Sequence, residues 1–347
     1  MPSAYSGQRL RTSFYSNGKL LLTGEYAVLD GALALAVPTQ YGQSLTVTEI
    51  PERELQWKSR DENGNIWFQA SFDLSHFDHA PEAPSFFSAD GAMHQVESDP
   101  DSETGGNAHE KSPEIQTIYQ TLAKIIREAK KLNPRFLRGL KGYAVATQMT
   151  FPRDWGLGSS STLINNVAQW AEVDAYRLLW NAFSGSGYDI ACARNDHPIL
   201  YKVHKGEPKV EVVNFHPIFN DRLYFIHLNK KQNSREGIAT YRKRQFDKTE
   251  LIDRVSEITK KTVRCTRLSD FESLIGEHEK ILSRSLQIPT VKQSLFPDFN
   301  GAIKSLGAWG GDFILVTGGA DTPSYFKQMG YDTAVPYSEM VLANKRS

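Results

Sequence analysis

Pro152-Arg153-Asp154-Trp155-Gly156-Leu157-Gly158-Ser159-Ser160-Ser161 is the stretch on which the reading of this chain turns. Upstream of it, Tyr143 to Thr150 reads as a strand. Downstream, Ser160 to Trp180 reads as a helix with Leu163, Val167, Trp170, Ala171 and Leu178 on one face. A glycine-rich turn feeding a helix offers unpaired backbone N–H groups and the positive end of the helix dipole, a place for phosphate. Gly156 and Gly158 let the backbone approach an anion without a Cβ in the way. Ser159, Ser160 and Ser161 add hydroxyls that can donate to phosphate oxygens or ligate Mg²⁺. Serine also caps helices, so the same residues admit a purely structural role. The nucleotide P-loop pattern Gly-x-x-x-x-Gly-Lys-Ser/Thr occurs nowhere in the chain.

Working outward, Lys19-Leu20-Leu21-Leu22 and Ala32 to Val37 read as buried strands, separated by turn material at Thr23-Gly24-Glu25-Tyr26 and Asp30-Gly31. Ser44 to Ile50 and Ile66 to Ala70 read as further strands. From about His76 to Ser112 the composition changes to Pro, Gly, Asp, Glu, Ser and His with no apolar period, which predicts a surface excursion. Its histidines, His76, His79, His94 and His109, lack a fixed ligand spacing and read as solvated. Pro113 opens a helix that Asn133-Pro134 stops. Ile199 to Val203 and Val210 to Val213 form a hairpin, and Leu223 to Leu228 another strand. Leu251 to Val263 and Phe271 to Leu286 carry helical stripes, and Phe313 to Val316 a late strand before a short helix around Tyr325. This order suggests two α+β lobes of similar size.

The chain has 347 residues and equal numbers of basic and acidic side chains, 40 of each. That length suits about two domains, and the balance lacks the basic excess that nucleic-acid binding demands. Cys192 and Cys265 are too few for a disulfide framework and have no metal-ligand spacing, so both read as reduced core residues. The start of the chain lacks the order of a signal peptide, and no apolar run reaches the ~18 residues of a membrane span. The expectation is a soluble cytoplasmic protein.

The residues also carry a resemblance. Pro-x-x-x-Gly-Leu-Gly-Ser-Ser at 152–160 resembles the ATP-binding signature of the GHMP kinases, the family of galactokinase, homoserine kinase, mevalonate kinase and phosphomevalonate kinase. Gly18-Lys19-Leu20-Leu21-Leu22-Thr23-Gly24-Glu25-Tyr26-Ala27-Val28 is similar to that family's first motif, in matching order and separation. The resemblance implies an α+β, two-lobed GHMP kinase fold: a ribosomal-protein-S5-like N-terminal lobe over residues 1–195 and a ferredoxin-like C-terminal lobe over 196–347. ATP, Mg²⁺ and a small-molecule acceptor would meet in the cleft between them, in a monomer or homodimer.

Gly185-Ser186-Gly187-Tyr188-Asp189 by itself reads as a turn or cap. It resembles the Gly-Ser-Gly-x-Asp segment of the mevalonate branch, which makes Asp189 the catalytic carboxylate and Lys19 its partner. A lysine there holds the carboxylate ionised and offsets charge on the transferred phosphoryl. The resemblance further assigns Pro152, Gly156, Leu157, Gly158, Ser159, Ser160 and Ser161 to ATP, with Ser160 also contacting Mg²⁺. It assigns Glu25, Tyr26, Ser234, Arg235, Gly310 and Gly311 to the acceptor. An acidic Mg²⁺ ligand has no clean counterpart; Glu172 and Asp174 are the nearest acids. The last motif departs from the family's glycine run, because Leu306 replaces a hydroxyl residue and Trp309 a glycine. His278, on an apolar helix face, reads as structural.

Tyr26 and Arg235 point to phosphomevalonate over mevalonate as acceptor, Arg235 because a guanidinium binds phosphate or carboxylate bidentately. The competing expectations are another acceptor such as homoserine or a sugar, a non-catalytic ATP-binding homologue, and decarboxylation of diphosphomevalonate.

Overall fold

The computed structural model describes residues 11–77, 113–230, 234–307 and 309–342. The expected excursion therefore lies almost wholly outside the described residues. Leu74–Phe77, at its start, forms a 3₁₀ turn that buries Phe77 in the core.

The first lobe is built on a seven-stranded sheet of β1 (Arg11–Thr23), β2 (Ala34–Ile50), β3 (Glu54–Arg60), β4 (Ile66–Asp73), β5 (Gly142–Met149), β6 (Ile199–His204) and β7 (Glu207–Val212). Its order is β4-β3-β5-β2-β6-β7, with β1 beside β2; the β3–β5 pairing is parallel and the others antiparallel. Alternation puts Leu45, Val47, Leu55, Trp57 and Val145 on one face, where α1 (Pro113–Leu132), α2 (Ser159–Ala171) and α3 (Ala175–Ala182) cover them.

Several expectations are corrected here. Ala34–Val37 of the first expected strand and Ser44–Ile50 belong to one long strand, β2, which Ala32 and Leu33 precede. Proline 38 does not end it, because the ladder is already irregular there: pairing jumps from Asn17↔Gly42 to Lys19↔Pro38. The helix expected over Ser160–Trp180 is two helices. Glu172 closes α2 in the left-handed conformation, and the Asp174 carboxylate caps α3 by accepting from the Arg177 amide at 2.8 Å. The hairpin β6–β7, which follows residue 195, joins the first sheet by pairing Ile199 with Ala36 of β2.

The second lobe carries a four-stranded antiparallel sheet in the order β11-β8-β10-β9, from β8 (Leu223–His227), β9 (Ile303–Ser305), β10 (Phe313–Thr317) and β11 (Ala334–Pro336). Between β8 and β9 run α5 (Ser234–Lys243), α6 (Lys248–Val263), α7 (Leu268–Leu286) and α8 (Val291–Leu295); α9 (Thr322–Gln328) joins β10 to β11. This is the β-α-β-β-α-β sequence of a ferredoxin-like lobe. Ile226, Ile314 and Val316 pack on Phe296 and Phe326. Phe225, Phe313 and Leu315 face the other way, joining Phe271 and Ile275 of α7 and also Leu20, Leu22, Leu35, Val37, Phe151 and Leu157 of the first lobe. The two lobes therefore share one continuous apolar core, and the glycine turn at 156–158 lies on its margin.

Candidate active site

Gly18 creates the site's first feature. The register of β1 on β2 shifts between Asn17 and Lys19, and such an irregularity re-aims the side chain that follows. The Lys19 amide donates to the Leu157 carbonyl at 3.0 Å, and its ammonium donates to the Gly156 carbonyl at 3.0 Å. Lys19 thus lies along the glycine turn, with its Nζ 3.5 Å from Asp189 Oδ1. The Lys19 side chain is 14% exposed and Asp189 31%, so the carboxylate is held by a lysine yet reachable from solvent.

The turn itself has the conformation its glycines permit, with φ of 63° at Gly156 and 93° at Gly158. Gly158 is the N-cap of α2 and no side chain caps this end. The Ser161 hydroxyl bonds the Gly158 carbonyl at 2.8 Å, and the first helical bond comes from Thr162 to the same carbonyl. The serine-cap alternative is thus not what the chain adopts, and the amides of Ser159 to Ser161 face outward from the helix start. Leu157 is fully buried and anchors the turn, Pro152 is half-buried, Ser159 is half-buried and Ser160 is exposed.

The segment expected to be a turn at Gly185–Asp189 is the entry to a short helix, α4 (Tyr188–Ala193), capped by Gly187 at φ 89°. Asp189 stands in its first turn, beside Lys19. The Tyr188 ring lies under the Lys19 ammonium, 5.7 Å from it. Burial, with Asp189's negative charge second, pushes the Tyr188 hydroxyl well above its usual range, so it stays a protonated donor. Cys192, in the same helix, is fully buried as expected, whereas Cys265 is only partly so.

The acceptor-side expectations fare differently. Glu25 is in the interior, not in the cleft: its Oε1 takes the Lys304 ammonium at 2.6 Å, and both side chains are 0% exposed. Tyr26 is also buried; its hydroxyl accepts from the Trp309 amide at 2.8 Å, and its ring stacks on Tyr241 at 5.5 Å. Both residues are thus in the interior, with Glu25 Oε1 on Lys304 and the Tyr26 hydroxyl on the Trp309 amide. Ser234 and Arg235 begin α5, and their side chains lie outside the described residues. Gly310 is partly exposed at φ 69° and Gly311 is buried.

The two departures in the last glycine motif are packing residues. Leu306 joins the inter-lobe core, and Trp309, 7% exposed, packs with Tyr26 and Tyr241 while its indole N–H donates to the Pro289 carbonyl at 3.1 Å. His278 is buried and structural, as expected: its Nε2 accepts the Gly24 amide, and burial holds its pKa well below the ordinary 6.5.

One site residue escaped the sequence reading. The Asp312 carboxylate closes the last glycine motif directly against Gly156; a Cβ on that glycine would lie 1.9 Å from Asp312 Oδ2. The signal existed in the Gly-Gly-Asp sequence, but nothing in the spacing says that two loops more than a hundred residues apart touch. Trp155 fills the neighbouring space, edge-on to Tyr41 and Phe313 at 5.3 Å each. Glu172 and Asp174, the acids considered for Mg²⁺, sit at the far end of α2 as caps. No cluster of three or more His, Cys, Asp or Glu side chains suited to a metal occurs among the described residues.

No family model matches the sequence, and no curated protein matches it. Solved structures do. The chain is similar to the mevalonate kinase of Methanococcus jannaschii at 14% identity, over 95% of this chain and 97% of that one, with a TM-score of 0.61. A Streptococcus pneumoniae phosphomevalonate kinase in complex with phosphomevalonate and AMPPNP gives 16% identity, 91% and 95% coverage, and a TM-score of 0.58. A Lactococcus lactis galactokinase complexed with galactose gives 14%, 95% and 93%, and 0.59. The architecture is thus the two-lobed fold of the GHMP kinases along almost the entire chain. No helix among the described residues is long and apolar enough to cross a membrane.

Proposed function

We propose that this protein is an ATP-dependent phosphotransferase acting on an oxygen nucleophile, hydroxyl or phosphate, of a small-molecule acceptor. The observation that carries the reading is the position of Lys19, whose ammonium spans from the Gly156 carbonyl at 3.0 Å to Asp189 at 3.5 Å beside a helix start with no side-chain cap. The solved relatives in fold include a mevalonate kinase, a galactokinase and a phosphomevalonate kinase, the last with AMPPNP bound.

In this reading the amides of Ser159, Ser160 and Ser161 hold ATP phosphate oxygens, and the glycines leave the backbone open to them. Asp189 orients the acceptor oxygen as it bonds the γ-phosphorus and the bond to ADP breaks, and receives the proton where that oxygen is a hydroxyl; a phosphate oxygen has none to give. Lys19 offsets the charge gathering on the transferred group while keeping Asp189 ionised. Ser160 and the exposed face of Asp189 are the residues that fit Mg²⁺, alongside phosphate oxygens and water. The metal would supply charge neutralisation between the phosphates.

We further propose a mevalonate-series acceptor. The motifs around Gly24 and Asp189 and the likeness to a phosphomevalonate kinase support it; Arg235, at the start of α5, is the cue for the phosphorylated form, since Tyr26 is buried on Trp309. The galactokinase of equal structural likeness supports a sugar as the second reading. A coupled assay of ADP release with phosphomevalonate, mevalonate, homoserine and galactose tests both. Turnover with a mevalonate-series acceptor is expected; turnover with galactose or homoserine alone would replace that assignment, and silence with all four would leave ATP binding without transfer.

A further inference from the structure

Glu25 from the turn after β1, His278 and Glu279 from α7, and Lys304 from β9 meet in the interior with side chains at most 3% exposed. The Lys304 ammonium lies 2.6 Å from Glu25 Oε1 and 3.1 Å from Glu279 Oε1, and it donates to the Ser305 carbonyl. Two of its protons are thereby directed, to Glu25 and Ser305, while Glu279 stands at ion-pair distance only. The carboxylates are less well served: Glu25 Oε2, both Glu279 oxygens and His278 Nδ1 lack a hydrogen-bond partner. A buried ion cluster with unused lone pairs is a poor source of stability, since apolar replacements of such clusters are often neutral or better. What it does specify is geometry.

The segments it ties are those that frame the glycine turn. Next to Glu25, the Tyr26 hydroxyl accepts the Trp309 amide at 2.8 Å; next to Lys304, the Ser305 hydroxyl accepts the Gly310 amide at 3.4 Å. The Leu306 amide closes the β9–β10 hairpin on the Phe313 carbonyl at 3.2 Å, and Asp312 at its end lies against Gly156. The geometry points to Lys304 as a positioning residue: by pairing with Glu25 it fixes the last glycine motif on the turn after β1 and so sets Asp312 against the phosphate-binding turn. Its consequence for nucleotide binding rests on the phosphotransferase reading; the placement of the loop does not.

The test is a charge-balanced double variant, Lys304→Met with Glu25→Gln, followed by hydrogen exchange and by calorimetric binding of AMPPNP. The expected result is cooperative unfolding near the wild-type temperature together with exchange at the Trp309 and Gly310 amides about tenfold faster relative to Ile314 and Leu315 of β10. AMPPNP affinity falls alongside. Unchanged relative exchange at Trp309 and Gly310, or an equal rise in both sets, would overturn the proposal by leaving Lys304 with a global role or none. Should the double variant not fold, Glu25→Gln alone leaves Lys304 paired with Glu279 and is expected to give the same selective rise, with the same contrary outcome. A wild-type protein that binds no AMPPNP would defeat the phosphotransferase reading while the exchange result still decides the role of Lys304.

Discussion

Asp189 and Gly156 carry the sharpest consequences at the scale of single residues. Asp189 touches Lys19, Tyr188 and solvent, so Asp189→Ala should leave the fold intact and lower kcat by about 10²–10⁴, with a much smaller loss of AMPPNP affinity. Equal losses in nucleotide affinity and kcat would instead make it a binding residue. Gly156→Ala combines φ 63° with a methyl placed 1.9 Å from Asp312 Oδ2, so the loop or the aspartate must move. Calorimetry should show nucleotide binding lost with little change in melting temperature. Glu25 shows where residue-level reading ends. Its sequence position resembles a ligand-facing glutamate, yet its place in this chain is decided by Lys304, which is 279 residues away.

Helices and strands bring caps and buried charges into play. Asp174 caps α3, so Asp174→Ala should cost about 1 kcal/mol of stability by urea titration without touching nucleotide binding, since the cap lies at the far end of α2 from the glycine turn. Within α7, burial pushes the Glu279 carboxyl up to about 7 from 4.5. Between those values the folded protein keeps a proton that the unfolded chain releases, so this group's contribution to stability falls as pH rises through that window. His278 acts oppositely: it stays neutral when folded, so stability is lost as pH falls below 6.5. Comparing wild type with Glu279→Gln isolates the carboxyl. Its amide stands in for the protonated acid, so the variant's melting temperature should gain on wild type as pH is raised from 5 to 8. A difference that stays constant over that range would remove Glu279 from the pH response. The strands between Tyr143 and Thr150 and between Phe313 and Val316 were legible because their apolar residues are contiguous. By contrast β1 before Lys19 is polar and α4 hides behind the Gly-Ser-Gly turn; β1 is held by pairing with β2, and α4 by packing Ala191 and Cys192 on Leu21, Ala34, Ala36 and Ile199.

Over the whole molecule, the decisive feature is the apolar core that the two lobes share. Phe313 is fully buried there with Leu20, Phe151 and Leu157. Phe313→Ala should therefore cost about 3–5 kcal/mol, and circular dichroism and tryptophan fluorescence should report one coincident unfolding transition. Two separated transitions would mean that the lobes fold independently. The equal totals of basic and acidic residues take on meaning at this scale as well. In the proposed function an anionic ligand would be attracted by a local arrangement, the α2 helix start and Lys19, rather than by net charge.

The sequence by itself determined the glycine turn, the strand before it and the start of the helix after it, because local periodicity and glycine conformational freedom are properties of contiguous residues; Lys19 and Asp189 were singled out only by the family resemblance. Tertiary structure alone decided that Lys19 reaches both Gly156 and Asp189, that Asp312 closes on the turn, and that Glu25 and Tyr26 belong to the interior. Those outcomes depend on which buried groups find partners across the lobes, and burial is settled only when distant segments pack together.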